Sequence, residues 1–309
     1  MTDASSRLPL PRSQAGPNPQ HLLVTILGDF WSGRPSPIPS AALVRVLGEF
    51  GISQASARSA ILRLASRGVL DATKSGRNTL YRLSEPIETA GHRNAPQVFA
   101  FAHESIADWD GRWRVVCFSI PEERRQSRSV IRSTLRSHGY APIQDGVWVS
   151  ARPASEALIA MLKDLGEPSL VVFEGDLLHP ERLSHRLQDS VPATVELAAD
   201  YESFIDRFTP VLERARQSQV TPAEALVLRV EMMDQWRGIY RRDPRMPRVL
   251  LPEDWPLARA GDVFIELYDR LRPLAQLRIE DLLADFALSS GARPESFDSQ
   301  SVLERLDDE

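Results

Sequence analysis

Between residues 41 and 67 the apolar positions follow a helical period that is interrupted once, and the interruption predicts two helices meeting at a tight turn. In "AALVRVLGEF" (41–50), Leu43, Val46, Leu47 and Phe50 fall on one helical face. Gly51 ends that helix and Ser53 opens the next as its N-cap. Over residues 54–67 the inner stripe is Ala57, Ala60, Ile61 and Leu64, and Gly68 stops the helix. Upstream, "HLLVTILGDF" (21–30) predicts a first helix. "WSGRPSPIPS" then breaks structure with three prolines and leaves Ser40 to cap the second helix. Downstream, strand-like pieces around Val69–Thr73 and Thr79–Leu83 are joined by Lys74-Ser75-Gly76-Arg77-Asn78, a hairpin signal. Helix, helix, tight turn, helix, hairpin is the order of a winged helix-turn-helix.

The pattern changes after that hairpin. Residues 84–108 are mixed and polar, with Pro86, Gly91 and Pro96, and read as a linker. Beyond Trp109, "RWRVVCFSIP" predicts a strand with a buried centre. "EERRQSRSVIRSTLRSHG" predicts an amphipathic helix with Val130, Ile131 and Leu135 inward. "GVWVS", "ASEALIAMLKDLG" and "SLVVFEG" continue as strand, helix and strand, which suggests a small ferredoxin-like α+β domain. From Asp176 the chain reads as helical, over 195–216, 222–242 and 262–287, and the polar, acidic end from Ser289 reads as frayed. The expected fold class is α+β multidomain. Its parts are a disordered tail (1–19), a winged helix-turn-helix (20–88), a linker with the ferredoxin-like domain (89–175), a helical domain (176–288) and an acidic tail (289–309).

Composition narrows the picture. A chain of 309 residues that is 42% hydrophobic and 26% charged can bury a real core. Its one cysteine, Cys117, excludes an intramolecular disulfide and any Cys-rich zinc site, and fits a reducing cytoplasm. No apolar run approaches the roughly 20 residues of a membrane span, and the N-terminus lacks the apolar centre of a signal peptide. The net charge of −5 does not advertise a nucleic-acid partner. Residues 40–84 reverse it. There Arg45, Arg58, Arg63, Arg67, Lys74, Arg77 and Arg82 face only Glu49 and Asp71, seven cations against two acids.

That reversal gives the third helix a chemistry. Gln54 can read adenine, Arg58 and Arg63 can read guanine, and Ser56 and Ser59 adapt to base edges or phosphates. Lys74, Arg77 and Asn78 of the hairpin suit phosphate or minor-groove contact. Double-stranded DNA is therefore the expected partner. The bland alternative is a solvated helix face.

These residues also carry a resemblance. "LVTILGDF", "LVRVLGEFGISQASARSAILRLASRGVL" and "SGRNTLYRL" resemble the N-terminal domain of PaaX-like regulators, repressors of phenylacetic acid degradation operons. It continues through "WDGRWRVVCFSIPEERRQSRSVIRSTLRSHGYAPIQDGVWVSARP" and "WRGIYRRDPRMPRVLLPEDWPLARAGDVFIELYDRL", covering roughly residues 20–288. The resemblance implies a homodimeric repressor that binds a palindromic operator and is released by an aryl-acyl-CoA, typically phenylacetyl-CoA. It also gives residues 176–288 an effector-binding and dimerising role.

An acyl-CoA needs cations for its phosphates and an aromatic pocket for its acyl end. Trp236, Arg237, Tyr240 and Arg241 offer both at i,i+4 spacing, and Trp255 follows. The alternative is that Trp236 and Tyr240 pack in a helical core while the arginines are solvated or paired with Asp234 and Asp243. The family often has a histidine where this chain has Asp234, and an acid there disfavours a nearby anion.

Catalysis and metal binding are not expected, and no cofactor is implied. The middle segment also looks like the small CRISPR-associated ferredoxin-like nuclease, which holds a divalent metal on an Asp at the end of its first strand. The matching position here is Ser119, a poor ligand for Mg²⁺. The six histidines have no ligand spacing, no nucleophile elbow, P-loop or dinucleotide fingerprint is present, and Cys117 falls in a strand expected to be buried.

Overall fold

The computed structural model describes residues 18–33, 36–103, 111–138, 140–151, 156–164, 169–176, 192–243, 245, 251–286 and 288–306. The chain divides into two compact units. The first comprises residues 1–102, 206–236 and 261–309; the second comprises 103–205 and 237–260.

The first unit opens with α1 (Pro19–Phe30), α2 (Ser40–Glu49) and α3 (Gln54–Ser66). Asn18 caps α1 by accepting from the Gln20 amide at 3.0 Å, and Pro19 takes the first helical position, where no N–H is needed. Both α2 and α3 end in the same device. Gly51 and Gly68 adopt φ of +73° and +71°. The next residues, Ile52 and Val69, reach back to the carbonyls of Leu47 and Leu64 at 3.3 and 3.0 Å. Leu23, Ile26, Leu43, Val46, Leu47, Ile61 and Leu64 are all fully buried.

Ser40 does not cap α2; it is the first helical residue, behind Pro39, and no side-chain cap bond is made. The cause lies outside the helix. Ile38 and Pro39 form a short strand, β1, which pairs with Tyr81 and Leu80, so the backbone enters the helix extended from a sheet. Proline is acceptable there because β1 is an edge strand. The sheet is completed by β2 (Leu70–Ser75) and β3 (Asn78–Leu83), antiparallel in the order β1-β3-β2. The strands are longer than their apolar pattern predicts. They leave a two-residue turn, Gly76-Arg77, with positive φ at Gly76 as a tight hairpin turn requires.

Two further segments of this unit differ from expectation. Residues 85–103 form a helix, α4, rather than a linker. Pro86 lies in its first turn, where its missing N–H costs nothing, and the amides of Ile87 and Glu88 bond to the Ser84 carbonyl. Its buried Ile87, Ala90, Val98, Phe99, Phe101 and Ala102 are interleaved with enough polar residues to hide the stripe. The acidic end is also built in. Asp298 caps α10 (Ser299–Leu303), the Trp31 indole donates to the Ala292 carbonyl at 2.8 Å, and Glu295 N donates to Phe30 O at 2.8 Å. These are hydrogen bonds to distant backbone, which hydropathy does not report.

Three long helices follow one another late in the chain: α7 (Pro192–Arg216), α8 (Pro222–Arg242) and α9 (Leu257–Leu283). Thr221 and Glu224 start α8 reciprocally, each side chain accepting from the other's amide. In the first unit α9 comes so close to α4 that a Cβ on Gly261 would stand 2.3 Å from the Ala102 carbonyl oxygen. Only glycine fits there.

The second unit holds β4 (Trp113–Cys117), α5 (Arg125–Ser137), β5 (Ala141–Gln144), β6 (Val147–Ser150), α6 (Glu156–Asp164) and β7 (Val171–Gly175). The sheet is antiparallel in the order β5-β6-β4-β7, the arrangement of a split β-α-β unit. Strand β5 is absent from the sequence reading because Pro142 and a register irregularity mask its alternation. Val116, Ile131, Leu135, Trp148, Leu158 and Leu162 share one core, and Trp113, Ala141 and Val149 another. Among the described residues no helix is long and apolar enough to cross a membrane.

Candidate nucleic-acid interface

The inner stripe of α3 fixes what its outer face must be. With Ala57, Ala60, Ile61 and Leu64 buried, Gln54, Ser56, Arg58 and Arg63 are exposed and Ser59 is half-buried. Gln54, Arg58 and Leu62 lie along one line at four-residue steps, with Ser59 and Arg63 beside it. Ser56 has a local task as well: its amide donates to the Ser53 cap at 3.3 Å, and Ser53 donates to its hydroxyl at 3.1 Å. On the hairpin, Lys74, Arg77 and Asn78 are exposed, and along β2 only Leu70 is fully buried.

The seven cations of residues 40–84 separate into two groups. Arg45 pairs with Asp285 at 2.7 Å, Arg82 with Asp71 at 3.2 Å, and Arg67 donates to Gln20 at 3.3 Å. Arg58, Arg63, Lys74 and Arg77 have no acidic partner among the described residues. The four cations left available are the four that the sequence pattern assigns to DNA. Leu62, 62% exposed on the same face, was not singled out from the sequence. A leucine one position beyond the buried stripe, between two outward arginines, is the signal that marks it. Such a side chain suits a thymine methyl.

The five residues expected at an effector site are divided between the units. Trp236 belongs to the first and is fully buried. It stacks on Phe264 (4.7 Å, 11°), lies 5.4 Å from Phe101, and donates its indole N–H to the Val98 carbonyl at 3.1 Å. Arg237, Tyr240, Arg241 and Trp255 belong to the second. There Trp255 meets Tyr201 edge-on at 5.9 Å, Tyr201 donates to Asp243 at 2.5 Å, the Arg245 amide also donates to Asp243, and the Arg245 guanidinium lies 4.3 Å from the Tyr240 ring. Burial first, and then the neighbouring Asp243 carboxylate, push the Tyr201 hydroxyl up, so it stays a neutral donor. Arg237 is half-buried and Arg241 exposed. Asp234, the acid expected to repel an anion, is engaged by His21.

Ser119 is exposed beyond the end of β4, and its carbonyl accepts from Ser169 at 2.6 Å. Among the described residues there is no group of three or more His, Cys, Asp and Glu that could hold a metal ion. Cys117 is half-buried on β4. His179 and His185 lie outside the described residues.

Three family models tile the chain. Residues 18–87 match the PaaX-like protein model, residues 106–187 the PaaX protein central Cas2-like domain, and residues 193–280 the PaaX-like protein C-terminal domain. The chain is 24% identical over 260 residues to the transcriptional repressor PaaX of Escherichia coli (strain K12), covering 82% of this chain and 80% of that one. It also shares its fold with the uncharacterized protein Rv0674 from Mycobacterium tuberculosis, with TM-score 0.51, 20% identity, and coverage of 84% and 96%. In class, then, the protein is a homologue of a transcriptional repressor. It belongs to the PaaX-like family.

Proposed function

We propose that the chain is a DNA-binding transcriptional repressor. Residues 20–88 act as a winged helix-turn-helix, with α3 in the major groove and the β2–β3 hairpin as the wing. Gln54, Ser56, Arg58, Ser59 and Arg63 face bases and nearby phosphates, while Lys74, Arg77 and Asn78 touch backbone or minor groove. The observation that carries this reading is that Arg58, Arg63, Lys74 and Arg77 have no acidic partner among the described residues, in a segment whose other cations are engaged.

The finer reading follows the family. The repressor works as a cytoplasmic homodimer on a palindromic operator of an aromatic-acid catabolic operon, and an aryl-acyl-CoA such as phenylacetyl-CoA releases it. A preference of the ligand for the DNA-incompetent state would be enough to do this. Exposed Val171 and Phe173 on the edge strand β7 suit contact with a second copy. Arg237, Tyr240, Arg241 and Trp255 remain the candidates for the ligand, whereas Trp236 is fully buried in the first unit. The rival reading, a metal-dependent nuclease, has a serine where a carboxylate is needed.

The test is fluorescence anisotropy with duplexes tiling the DNA upstream of the gene and its neighbours. Wild-type protein should select one duplex, and Arg58→Ala and Arg63→Ala should each weaken it by about 1–3 kcal/mol. Full retention of selective binding by both variants would remove α3 from the interface. Calorimetry against a panel of acyl-CoAs, with duplex release as the second readout, tests the ligand.

A further inference from the structure

A second positive surface lies on α5, in the second unit. Helix α5 carries Arg125, Arg128, Arg132 and Arg136 and no acid. Steps of three and four residues keep the four along one side, while Ile131 and Leu135 are fully buried on the other. The stripe runs about 16 Å along the axis, at about 1.5 Å per residue.

The arginines are held in place. Arg128 donates to the Ile120 carbonyl at 2.6 Å, Arg132 is paired with Asp145, and the Arg136 guanidinium lies 5.3 Å from the Trp148 ring. Together with Ser129, all four line an open depression of about 360 Å³, which has no acidic residue among its described lining residues. An adjoining depression of about 210 Å³ is bounded by Arg132, Arg136, Pro142, Gln144, Asp145 and Trp148.

The shape selects the ligand. Trp148 is 2% exposed, so its ring is not available for a base to stack upon. A mononucleotide would need an enclosed aromatic slot as well as its phosphate contacts. A line of cations along an open surface, without a slot, fits a linear polyanion touched only through its phosphates. Duplex DNA presents about one charge per 1.7 Å of axis, so a stripe of this length can reach several.

We propose that the α5 arginine stripe is a second, sequence-independent contact to the phosphate backbone of double-stranded DNA. It rests on the DNA-binding reading above, which α3 carries separately. The stripe adds affinity and salt dependence without adding sequence preference.

The experiment uses the full chain, a 30-bp duplex of arbitrary sequence (about three turns) and a NaCl series, with binding read by anisotropy. The Arg125→Gln/Arg136→Gln protein should show a slope of log K against log[NaCl] shallower by about 1.8, at about 0.9 per lost contact. Its affinity at low salt should fall on the order of tenfold. The Arg125→Lys/Arg136→Lys protein should keep the wild-type slope, because Lys also neutralises a phosphate. If the double variant does not fold by circular dichroism, the exposed Arg125→Gln alone should lower the slope by about 0.9.

A wild-type slope in the Gln variants, with operator binding still weakened in Arg58→Ala, overturns the stripe and leaves the repressor reading standing. Failure of wild-type protein to bind any duplex overturns both. A Gln variant that keeps its DNA slope but loses coenzyme A binding overturns the proposal in favour of a small polyphosphate site.

Discussion

Helices α3 and α8 both carry arginines, and the fold places them in opposite surroundings. On α3, Arg58 and Arg63 are exposed, with no acidic partner among the described residues. On α8, Arg229 is completely buried. It grips Asp29 through two hydrogen bonds of 2.8 and 3.2 Å and donates to the carbonyls of Tyr268 and Phe297 at 2.6 and 2.7 Å. Its guanidinium sits 3.5 Å from the Tyr268 ring centre, and the Tyr268 hydroxyl donates to Asp29. Burial opposes the charge on Arg229, but Asp29 and the bonds around it outweigh that and hold the guanidinium protonated. Further along α8, Trp236 sits in the core and Arg242 pairs with Asp200 at 2.7 Å. The lesson is that arginine at helical spacing has no fixed meaning. A cation packed against a carboxylate holds a fold together, and one left without such a partner is available to a ligand.

The contrast is broken most severely at Asp29. Asp29→Ala leaves Arg229 buried without its counter-charge and Tyr268 without an acceptor, and should cost about 3–5 kcal/mol in urea unfolding. A loss below about 1 kcal/mol would mean that the pair is not a structural element. Trp236→Ala should be comparable, about 3–5 kcal/mol, because a stacked indole and its bond to Val98 are both removed. If the protein instead keeps its stability and loses only acyl-CoA binding, Trp236 belongs to a ligand site and α8 resembles α3 after all.

Substitutions on the exposed side should leave stability almost untouched. Lys74→Ala and Arg77→Ala are expected within about 0.5 kcal/mol of wild type in unfolding. In DNA titrations each should flatten the salt slope by about 0.9. Unchanged slopes in both would take the hairpin out of the interface.

The smallest effect concerns acid. Glu224 is held at about 2 by hydrogen bonds from Thr221 and Arg214, and Glu266 at about 2 by Arg216 and Arg270. Both carboxyl groups titrate lower in the folded protein than the ordinary 4.5. Their contribution is therefore complete above about pH 4.5 and is lost as pH falls towards 2. Both groups are largely solvated, so the change is modest. Glu224→Gln should unfold with a flatter dependence on pH in that window, measured by circular dichroism at fixed urea.

The first three helices could be read from the chain because their determinants are local. A 3.6-residue stripe and the glycines at 51 and 68 are enough to place α2 and α3. What could not be read depends on distant partners. Ser40 lost its capping role to a strand pairing with Tyr81, α4 owes its apolar side to packing with Trp236, Phe264 and Tyr268, and the last turn of chain is anchored by Trp31 and Asp269. In the second unit, β5 needed its neighbour β6 to declare it a strand. The candidate site divides along the same line. The polar face of α3 follows from its buried face, whereas nearness in sequence does not report that Trp236 and Trp255 belong to different units.

By itself, the sequence determined the local elements, the two glycine stops and the surplus of cations between residues 40 and 84. Short-range backbone geometry and composition decide these. Only the tertiary structure decided which cations were left over. Arg45 is engaged by Asp285, 240 positions away, and Arg229 by Asp29, 200 positions away, while Arg58 and Arg63 meet no acid among the described residues. Charge is written in the sequence, but pairing acts over a few ångströms, and only the fold sets which residues come that close.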